Sequence, residues 1–296
     1  MDVVMPKPGK YVVAVSGGVD SMVLLDILAR QPGLELIVAH VDHGIRDDSS
    51  EDLKLVEAVT NKLNLEFNNI SLNLDSNTSE ETARNKRYEF LRSVKEKSKA
   101  DAIITAHHQD DLLETAILNM LRGTGRKGIS ALADNPGIIR PLINVSKNQI
   151  QEYAEANHIE WHEDSTNSEE KYLRNYVRLN IIPKMSPRQK EQLLKNIHQS
   201  SKTNREIDTL LVKQLQANRY ENAISKAWFN QLPHDVATET MAAWLRQNNL
   251  RDFDKKTIER LVVAAKTSKI GKKHPIIKGA NLLVSKDGLA LELAER

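Results

Sequence analysis

The chain has 296 residues, of which 40% are hydrophobic and 28% charged, with no cysteine and a net charge of +2. That length predicts two or three domains, and the lack of cysteine excludes disulfides, thiolate zinc sites, iron–sulfur clusters and covalent sulfur relay. No stretch approaches the ~20 apolar residues of a membrane span, and residues 6–10 interrupt the apolar core that a signal peptide needs. We therefore expect a cytoplasmic protein.

Charge is divided unevenly along the chain. Residues 1–183 contain 21 Lys and Arg against 28 Asp and Glu, a net charge of −7, whereas residues 184–296 contain 21 against 12, a net charge of +9. A basic second part beside an acidic first part suggests a polyanion such as nucleic acid as partner, and a solvated basic surface is the alternative.

The first predicted elements, over residues 10–29, are a buried strand, a glycine turn and a helix with apolar residues at helical spacing. The turn places small residues and backbone N–H groups at the positive end of a helix, which favours bound phosphate. The spacing differs from the GxxxxGKS/T pattern of ordinary nucleotide triphosphatases, because no lysine follows the glycines. Asp20 is the candidate metal ligand, since a carboxylate there can hold a cation against phosphate oxygens. The candidate phosphate-binding residues are Ser16, Gly17, Gly18, Val19, Asp20 and Ser21.

Strands and helices alternate through the rest of the first half, which predicts a parallel sheet covered on both faces. Strands are expected at residues 34–41, 66–74 and 102–106, with helices at 49–63, 79–94, 146–158 and 172–182. In open α/β sheets, ligands bind beyond the carboxyl ends of the strands, so polar side chains that follow a strand are candidates for the site.

Two groups of charged residues precede the fourth strand. The segment after the second strand supplies two imidazoles, a carboxylate and a guanidinium: His40, Asp42, His43 and Arg46. A purely structural role at the strand end is the alternative. Arg84 and Arg87 lie one turn apart on a predicted helix, where such a pair can clamp phosphate oxygens or simply form a charged helix face.

The segment after the fourth strand carries the largest set of reactive groups. His107 and His108 leave the strand, Asp110 and Asp111 begin a helix, and Glu114 follows on a nearby face. Such a set can hold a cationic substrate, ligate a metal or accept a proton from an amine. The alternative is that the two aspartates only cap the helix and stabilise its dipole. A zinc site is disfavoured, because the spacing lacks the HExxH pattern that places two histidines on one helical face.

Farther along, residues 164–167 predict a polar loop, and Arg174 and Arg178 lie one turn apart on a helix that Pro183 ends. A solvent-exposed helix is the alternative for the two arginines. Residues 185–189 predict a domain boundary, followed by a long helix to about residue 215 and a mainly helical remainder with a hairpin around residues 286–288. The predicted architecture is an α/β domain with a parallel sheet over residues 1–185 and a smaller, mainly helical domain over residues 186–296.

The turn at residues 16–21 matches the SGGxDS signature of the PP-loop ATP pyrophosphatases, and residues 107–115 (HHQDDLLET) are shared with PP-loop tRNA thiolases. Four further blocks narrow the resemblance to the tRNA(Ile)-lysidine synthetases over residues 10–185, and the basic remainder resembles that family's helical tRNA-contacting domain. These blocks are HVDHGIR (40–46), ARNKRY (83–88), LRGTGRKGISAL (121–132) and DSTN with LRNYVR (164–167 and 173–178).

The resemblance implies a two-step reaction that uses ATP and Mg²⁺. ATP first adenylates the carbonyl oxygen at position 2 of the wobble cytidine in the CAU anticodon of tRNA(Ile), and the ε-amine of L-lysine then displaces AMP to give lysidine. In this reading the turn cradles pyrophosphate, Asp20 holds Mg²⁺, and Arg84 stabilises the phosphates or the adenylate. Asp111 and Glu114 orient the lysine ammonium, and His107 assists positioning or proton removal. The resemblance also implies a homodimer.

The length of the chain predicts the short form of this family, without the further C-terminal domain of its longest members. Such a form is expected to choose tRNA(Ile) through the anticodon arm and the basic domain. Three other functions remain as alternatives: a tRNA thiolase, which the lack of cysteine disfavours, an amide-forming ligase related to NAD or GMP synthetase, and a non-catalytic nucleotide-sensing RNA-binding protein.

Overall fold

The computed structural model describes residues 1–42, 49–72, 78–133, 137–162, 173–220, 223–250 and 253–293. Its contacts divide the chain into two compact units, Met1–Ser201 and Lys202–Arg296. The boundary between the units falls inside a single helix of 31 residues, Pro187–Ala217. The functional division after residue 185 remains a prediction.

The first unit contains five parallel strands in the order β3-β2-β1-β4-β5. They are β1 (Gly9–Ala14), β2 (Leu34–Asp42), β3 (Glu66–Ser71), β4 (Ala102–Ile104) and β5 (Ile138–Ile139). The chain runs outwards from β1 through β2 to β3 and then returns to the other side of β1 with β4. Because the strand order reverses between β1 and β4, the crevice beyond their carboxyl ends is where such sheets bind ligands.

Helices pack on both faces of this sheet, as the alternating pattern predicts. The helices of this unit are α1 (Val19–Ala29), α2 (Ser49–Lys62), α3 (Glu80–Ser98), α4 (Gln109–Leu121), α5 (Arg126–Ile129), α6 (Lys147–Ala156) and α7 (Leu173–Tyr176). Residues of α4 pack in a core of their own with residues of the π-helical turn that follows α7. Along β1, Val13 packs in a core with residues of α1 and α6, whereas Val12 packs in a second core with residues of α3. Successive side chains of a strand point to opposite faces, so this alternation confirms a sheet that is covered on both sides.

The predicted elements of the first unit agree with the structure apart from their ends. Strand β4 stops at Ile104, two residues short of the prediction, and α3 extends four residues past its predicted end. The helix predicted to begin after Ser146 does so, because the Ser146 hydroxyl accepts a hydrogen bond from the backbone N–H of Gln149 and the Gln149 side chain accepts one from that of Ser146. The helix predicted over residues 172–182 is irregular: α7 continues as a π-helical turn, Val177–Ile181, and a 3₁₀ turn, Ile182–Lys184.

The second unit combines helices with an antiparallel sheet of five strands in the order β6-β7-β10-β9-β8. Helices take up more of it than strands, which confirms the prediction of a mainly helical part, and the hairpin predicted around residues 286–288 joins β9 to β10. The remaining three strands were not predicted. The remaining elements are α8 (Pro187–Ala217), β6 (Arg219–Tyr220), β7 (Ala223–Ser225), α9 (Lys226–Gln231), α10 (His234–Gln247), α11 (Lys255–Thr267), β8 (Lys273–Ile277), β9 (Ala280–Val284) and β10 (Gly288–Leu293).

Candidate active site

The turn between β1 and α1 leaves the N-terminus of α1 open. Gly17 has φ +95°, a conformation that favours glycine, and Gly18 is the residue that caps α1. The Ser21 hydroxyl accepts a hydrogen bond from the Ser16 backbone N–H at 3.1 Å and donates one to the Gly18 carbonyl at 2.9 Å. No side chain of the described residues caps the helix. The Ser21 and Met22 backbone N–H groups both donate to the Gly18 carbonyl at 3.1 Å. The N–H groups of Val19 and Asp20, which precede them at the start of the helix, are therefore open to an anion.

Two residues that were not predicted from the sequence, Asp52 and His162, contact this turn at Gly17. The Asp52 side chain lies so close to Gly17 that an added Cβ there would be 3.2 Å from the Asp52 Cβ. The His162 ring donates from Nδ1 to the Asp52 carboxylate at 2.8 Å, and the His162 backbone N–H donates to the Gly17 carbonyl at 3.1 Å. Glycine is thus required at position 17 both for its φ and for the space beside Asp52.

Asp20, the second residue of α1, has two neighbours from other parts of the chain. The Lys147 ammonium, on the first residue of α6, donates to Asp20 Oδ1 at 2.6 Å. His108 Nε2 lies 3.7 Å from Asp20 Oδ2 and at the same distance from Asp111 Oδ2. The crevice therefore brings the turn after β1 together with the residues after β4, which the sequence placed at the same sheet edge.

His108 and Asp111 also form the N-terminal cap of α4. The Asp110 backbone N–H donates to His108 Nδ1 at 3.2 Å, and the His108 backbone N–H donates to Asp111 Oδ2 at 2.9 Å. Because Nδ1 accepts a hydrogen bond, the proton of a neutral His108 is on Nε2, facing the carboxylates of Asp20 and Asp111. His108 and Asp111 thus cap α4 and at the same time lie in the crevice beside Asp20.

His107 is neutral at physiological pH. Burial, together with the smaller effects of the Arg140, Arg87 and Arg84 guanidinium groups, lowers the pKa of His107 to about 3, against the opposing effect of Asp111. Its Nδ1 lies 2.7 Å from the Thr105 hydroxyl. Burial raises the pKa of Asp111, but neighbouring groups led by His108 lower it by more, so its pKa is below the usual value. The crevice therefore contains an uncharged imidazole beside an ionised carboxylate.

Glu114 is buried in an ion pair with two arginines. Its side chain is 1% exposed, and it accepts hydrogen bonds from Arg178 Nε at 2.6 Å, Arg178 Nη2 at 2.9 Å and Arg174 Nε at 3.2 Å. Arg178 lies in the π-helical turn, and its Nη2 is also 3.8 Å from Asp111 Oδ1. The hydrogen bonds that Arg178 donates to Glu114 help to raise the pKa of Arg178 against the effect of burial. The two arginines that the sequence predicts one turn apart on a helix thus both reach the acidic group of α4.

A second basic group, formed by Arg84, Arg87 and Arg140, lies near His107. The guanidinium carbons of Arg84 and Arg87 lie 5.0 and 5.4 Å from the centre of the Tyr88 ring. Arg140, which directly follows β5, is 7% exposed and donates from Nη1 to the Ile138 carbonyl at 3.3 Å. The Tyr88 hydroxyl is near enough to act on the pKa of Arg140 but forms no well-aligned hydrogen bond with it among the described residues. Burial lowers the pKa of Arg140, and the group as a whole attracts anions.

The segment after β2 is described only in part. His40 is buried and donates from Nδ1 to the Val15 carbonyl at 2.9 Å, and burial lowers its pKa. The Asp42 carboxylate accepts a hydrogen bond from Ser71 at 3.0 Å. His43, Arg46 and the polar loop 164–167 lie outside the described residues.

Four residues of the site were not predicted from the sequence: Lys147, Arg140, Asp52 and His162. A signal for Lys147 was present, because a cation in the first turn of a helix opposes the helix dipole, and such a local conflict is expected at functional sites. Arg140 similarly follows the two isoleucines of a half-buried strand and is itself buried, where a charge is unexpected. Asp52 and His162 had no local signal, since only the fold brings them to Gly17.

The described residues contain no group of three or more His, Cys, Asp or Glu side chains placed to hold a metal ion by themselves. Asp20 fits a Mg²⁺ ion that takes its remaining ligands from phosphate and water, because Mg²⁺ in phosphate sites is held by one or two carboxylates. No helix among the described residues is long and apolar enough to span a membrane.

A family model for the PP-loop domain matches residues 3–185. The chain is 38% identical over 192 residues to the tRNA(Ile)-lysidine synthase of Thermotoga maritima, covering 61% of this chain and 46% of that protein. It is 34% identical over 269 residues to the protein of the same name from Thermosipho africanus, covering 85% and 61%. The chain thus spans about half to three-fifths of the length of these relatives.

Among solved structures, the chain is similar to the U34-tRNA thiolase NcsA from Methanococcus maripaludis, a protein described with its iron–sulfur cluster. The TM-score is 0.53 and the identity 18%, over 65% of this chain and 72% of the other. At that identity the similarity concerns the fold alone, and it agrees with the parallel sheet and its helices.

Proposed function

This chain belongs to the PP-loop domain family, and on that premise we propose that it ligates L-lysine to the wobble cytidine of a tRNA(Ile) with a CAU anticodon, at the expense of ATP. The products are lysidine in the tRNA, AMP and pyrophosphate. The observation that carries the proposal is the meeting of the open turn before α1 with Asp20, His107, Asp111 and the basic groups at one sheet edge. Relatives named tRNA(Ile)-lysidine synthase, at 34 to 38% identity, support the choice of substrates.

The first step is adenylation of the cytidine. Its carbonyl oxygen at position 2 attacks the α-phosphorus of ATP, a P–O bond forms, and the bond to the leaving pyrophosphate breaks. The turn from Ser16 to Ser21 would bind the pyrophosphate through the backbone N–H groups that its internal hydrogen bonds leave open, and Asp20 would hold Mg²⁺. A bound Mg²⁺ neutralises negative charge on phosphate oxygens. Arg84, with Arg87 beside it, would stabilise the phosphates or the adenylate.

The second step transfers lysine. The ε-amine attacks carbon 2 of the adenylated cytidine, the carbon–oxygen bond to AMP breaks, and the amine loses a proton. Asp111 and Glu114 would orient the ammonium before this step, and His107 would position the amine or take its proton. Because its pKa is about 3, His107 is a weak base, and this favours positioning of the amine over removal of its proton. Glu114 already accepts hydrogen bonds from two arginines, so Asp111 is the more direct contact for an incoming ammonium.

The charge of the chain agrees with a tRNA substrate, because its last 113 residues carry the +9 net charge while residues 1–183 carry −7. As part of the proposal, the enzyme acts in the cytoplasm, where tRNA is modified, and forms the homodimer that the family resemblance implies.

The experiment that tests the proposal incubates the purified chain with ATP, Mg²⁺, radiolabelled L-lysine and an unmodified tRNA(Ile) transcript bearing CAU, with tRNA(Met) as control. We expect lysine label in tRNA(Ile) and AMP released in proportion, with far less label in tRNA(Met). AMP formed with tRNA but without lysine label would contradict the assignment of lysine as the nucleophile. The absence of both AMP and label would contradict the adenylation step itself.

A further inference from the structure

Lys147 contacts the phosphate side of the site but has no part in the mechanism above. Its ammonium donates to Asp20 Oδ1 at 2.6 Å, and the two side chains are 33% and 29% exposed. An ion pair that solvent reaches contributes little to the stability of a fold, about 0–1 kcal/mol. The contact is therefore one that a bound ligand can replace without disturbing the core.

The helix that carries Lys147 does not need its charge. The hydroxyl of Ser146 and the side-chain amide of Gln149 already form the N-terminal cap of α6. A lysine in the first turn opposes the helix dipole, at a cost of about 0.3–1 kcal/mol. Local stability would favour an acidic residue here, so the lysine is explained better by what its ammonium binds than by the helix.

The backbone of α6 is fixed, so only the side chain of Lys147 is free to change partner. Ile150 and Ala154 are fully buried in the core that includes α1. The Tyr153 hydroxyl also donates to the Asp26 carboxylate of α1 at 2.9 Å. The backbone of Lys147 is therefore held in place, whereas its flexible four-carbon side chain can change position. The side chain lies beside Asp20, at the start of α1, where the open backbone N–H groups of the helix can bind phosphate.

We propose that Lys147 binds the pyrophosphate portion of ATP, and that its ion pair with Asp20 is the contact it gives up when the nucleotide binds. The proposal rests on the ATP site of the proposed function and not on the identity of the nucleophile. Asp20 is the candidate Mg²⁺ ligand, and an ammonium on the same oxygen would compete with a metal ion. When the Lys147 ammonium moves to the phosphate oxygens, Asp20 is left to the Mg²⁺ ion. The ammonium then donates to the phosphate together with the backbone N–H groups of the turn.

The test measures the affinity of the 296-residue chain for pyrophosphate, ATP and AMP by calorimetry, without tRNA and with EDTA present for pyrophosphate. Lys147→Gln is expected to weaken binding of pyrophosphate and ATP by about 10- to 100-fold, the loss of one hydrogen bond to a charged group, and to leave AMP unchanged. Lys147→Arg should recover most of the affinity. Lys10→Gln is the matched control, because Lys10 is 30% exposed and pairs with Glu35 at the same 2.6 Å but lies at the opposite end of β1.

A second pair of variants separates direct binding from neutralisation of Asp20. In an Asp20→Asn background, Lys147 has lost its carboxylate partner, and metal-free pyrophosphate should bind at least as tightly as to the wild type. Adding Lys147→Gln should again weaken that binding about 10-fold or more. If the double variant binds pyrophosphate as well as Asp20→Asn alone, Lys147 acts only on Asp20 and the proposal is wrong.

Four other outcomes are decisive. Unchanged pyrophosphate affinity in Lys147→Gln would overturn the proposal, and an equal loss of AMP affinity would overturn the assignment to pyrophosphate. A wild-type chain that binds neither ATP nor pyrophosphate would overturn both this proposal and the proposed function. In the fourth outcome the wild type binds ATP and pyrophosphate, and Lys147→Gln weakens both as expected, while no lysine label enters the tRNA. That result would support the proposal and contradict only the proposed function. Circular dichroism melts of each variant show that the comparison is made between folded proteins.

Discussion

The two carboxylates Glu114 and Asp20 are paired with cations in opposite ways. Glu114 is 1% exposed and takes three hydrogen bonds from two arginines at 2.6 to 3.2 Å. Asp20 is 29% exposed and has one close cation, the ammonium of Lys147, on a flexible stem. One carboxylate is enclosed by partners of fixed geometry, and the other meets a partner that solvent and ligands reach.

The difference separates positioning from ligand exchange. A buried ion pair cannot be broken without leaving a charge unpaired, so Glu114 is suited to hold Arg174 and Arg178 in place beside Asp111. An exposed pair is exchanged at little cost, so Asp20 is suited to gain and lose a metal ion and a nucleotide in each turnover. We therefore expect substitutions at Asp20 to affect catalysis more than stability, and those at Glu114 to affect stability first.

Asp20→Asn should give the largest effect on turnover. It removes the candidate Mg²⁺ ligand while keeping the shape of the side chain, so ATP-dependent AMP formation should fall by about 100-fold or more. tRNA binding, measured by filter retention, should stay within about twofold of the wild type, and the free energy of unfolding should change by less than about 1 kcal/mol. Near-normal turnover in this variant would remove Asp20 from the site.

Glu114→Gln should lower the free energy of unfolding by about 2 kcal/mol in urea titrations, because two guanidinium groups lose their buried anion and regain only part of their hydration. The matched control is Glu35→Gln, since Glu35 also pairs at 2.6 Å but is 67% exposed, and it should cost less than about 0.5 kcal/mol. Equal costs for the two variants would show that burial does not distinguish these ion pairs.

Asp111→Ala should raise the lysine KM by about 10-fold and leave the ATP KM nearly unchanged, because its carboxylate would orient the lysine ammonium. Asp110→Ala is the neighbouring control on the same first turn of α4. We expect Asp110→Ala to change the lysine KM by less than about threefold. A similar loss of affinity for lysine and ATP in Asp111→Ala would contradict the role in lysine binding.

His107 should reduce the stability of the fold in acid. Its folded pKa of about 3 lies below the unfolded value near 6.5, so the unfolded chain binds the proton more readily as the pH falls below 6.5. The contribution is fully present above pH 6.5 and is lost towards the folded pKa. Between pH 7.5 and 5.5 the wild type should lose about 1.4 kcal/mol more unfolding free energy than His107→Asn, whose amide can keep the contact with Thr105. Equal losses would mean that His107 is charged in the folded protein.

The sequence predicted the parallel sheet and the placement of Asp20, His107, Asp111 and Glu114, because strand period and chain order determine which residues follow which strand. It did not predict which cation meets which carboxylate. Lys147 and Arg178 are 127 and 64 residues from their acidic partners, so only the packing of α6 on α1 and the π-helical turn after α7 bring them there. Strands β6, β7 and β8 of the second unit were missed because they are only two to five residues long, too short for a clear alternation.

The central claim is that two groups of carboxylates serve two successive steps. Asp20 serves the adenylation of the tRNA, and Asp111 with Glu114 serves the transfer of lysine. The most direct measurement uses ATP radiolabelled at the α-phosphorus and tRNA(Ile) bearing CAU, first without lysine and then with it. We predict label on the tRNA before lysine is added and its release as AMP afterwards, with no adduct in Asp20→Asn and slow release in Asp111→Ala. AMP release that needs lysine and passes through no labelled tRNA, or loss of the adduct in Asp111→Ala as complete as in Asp20→Asn, would contradict it.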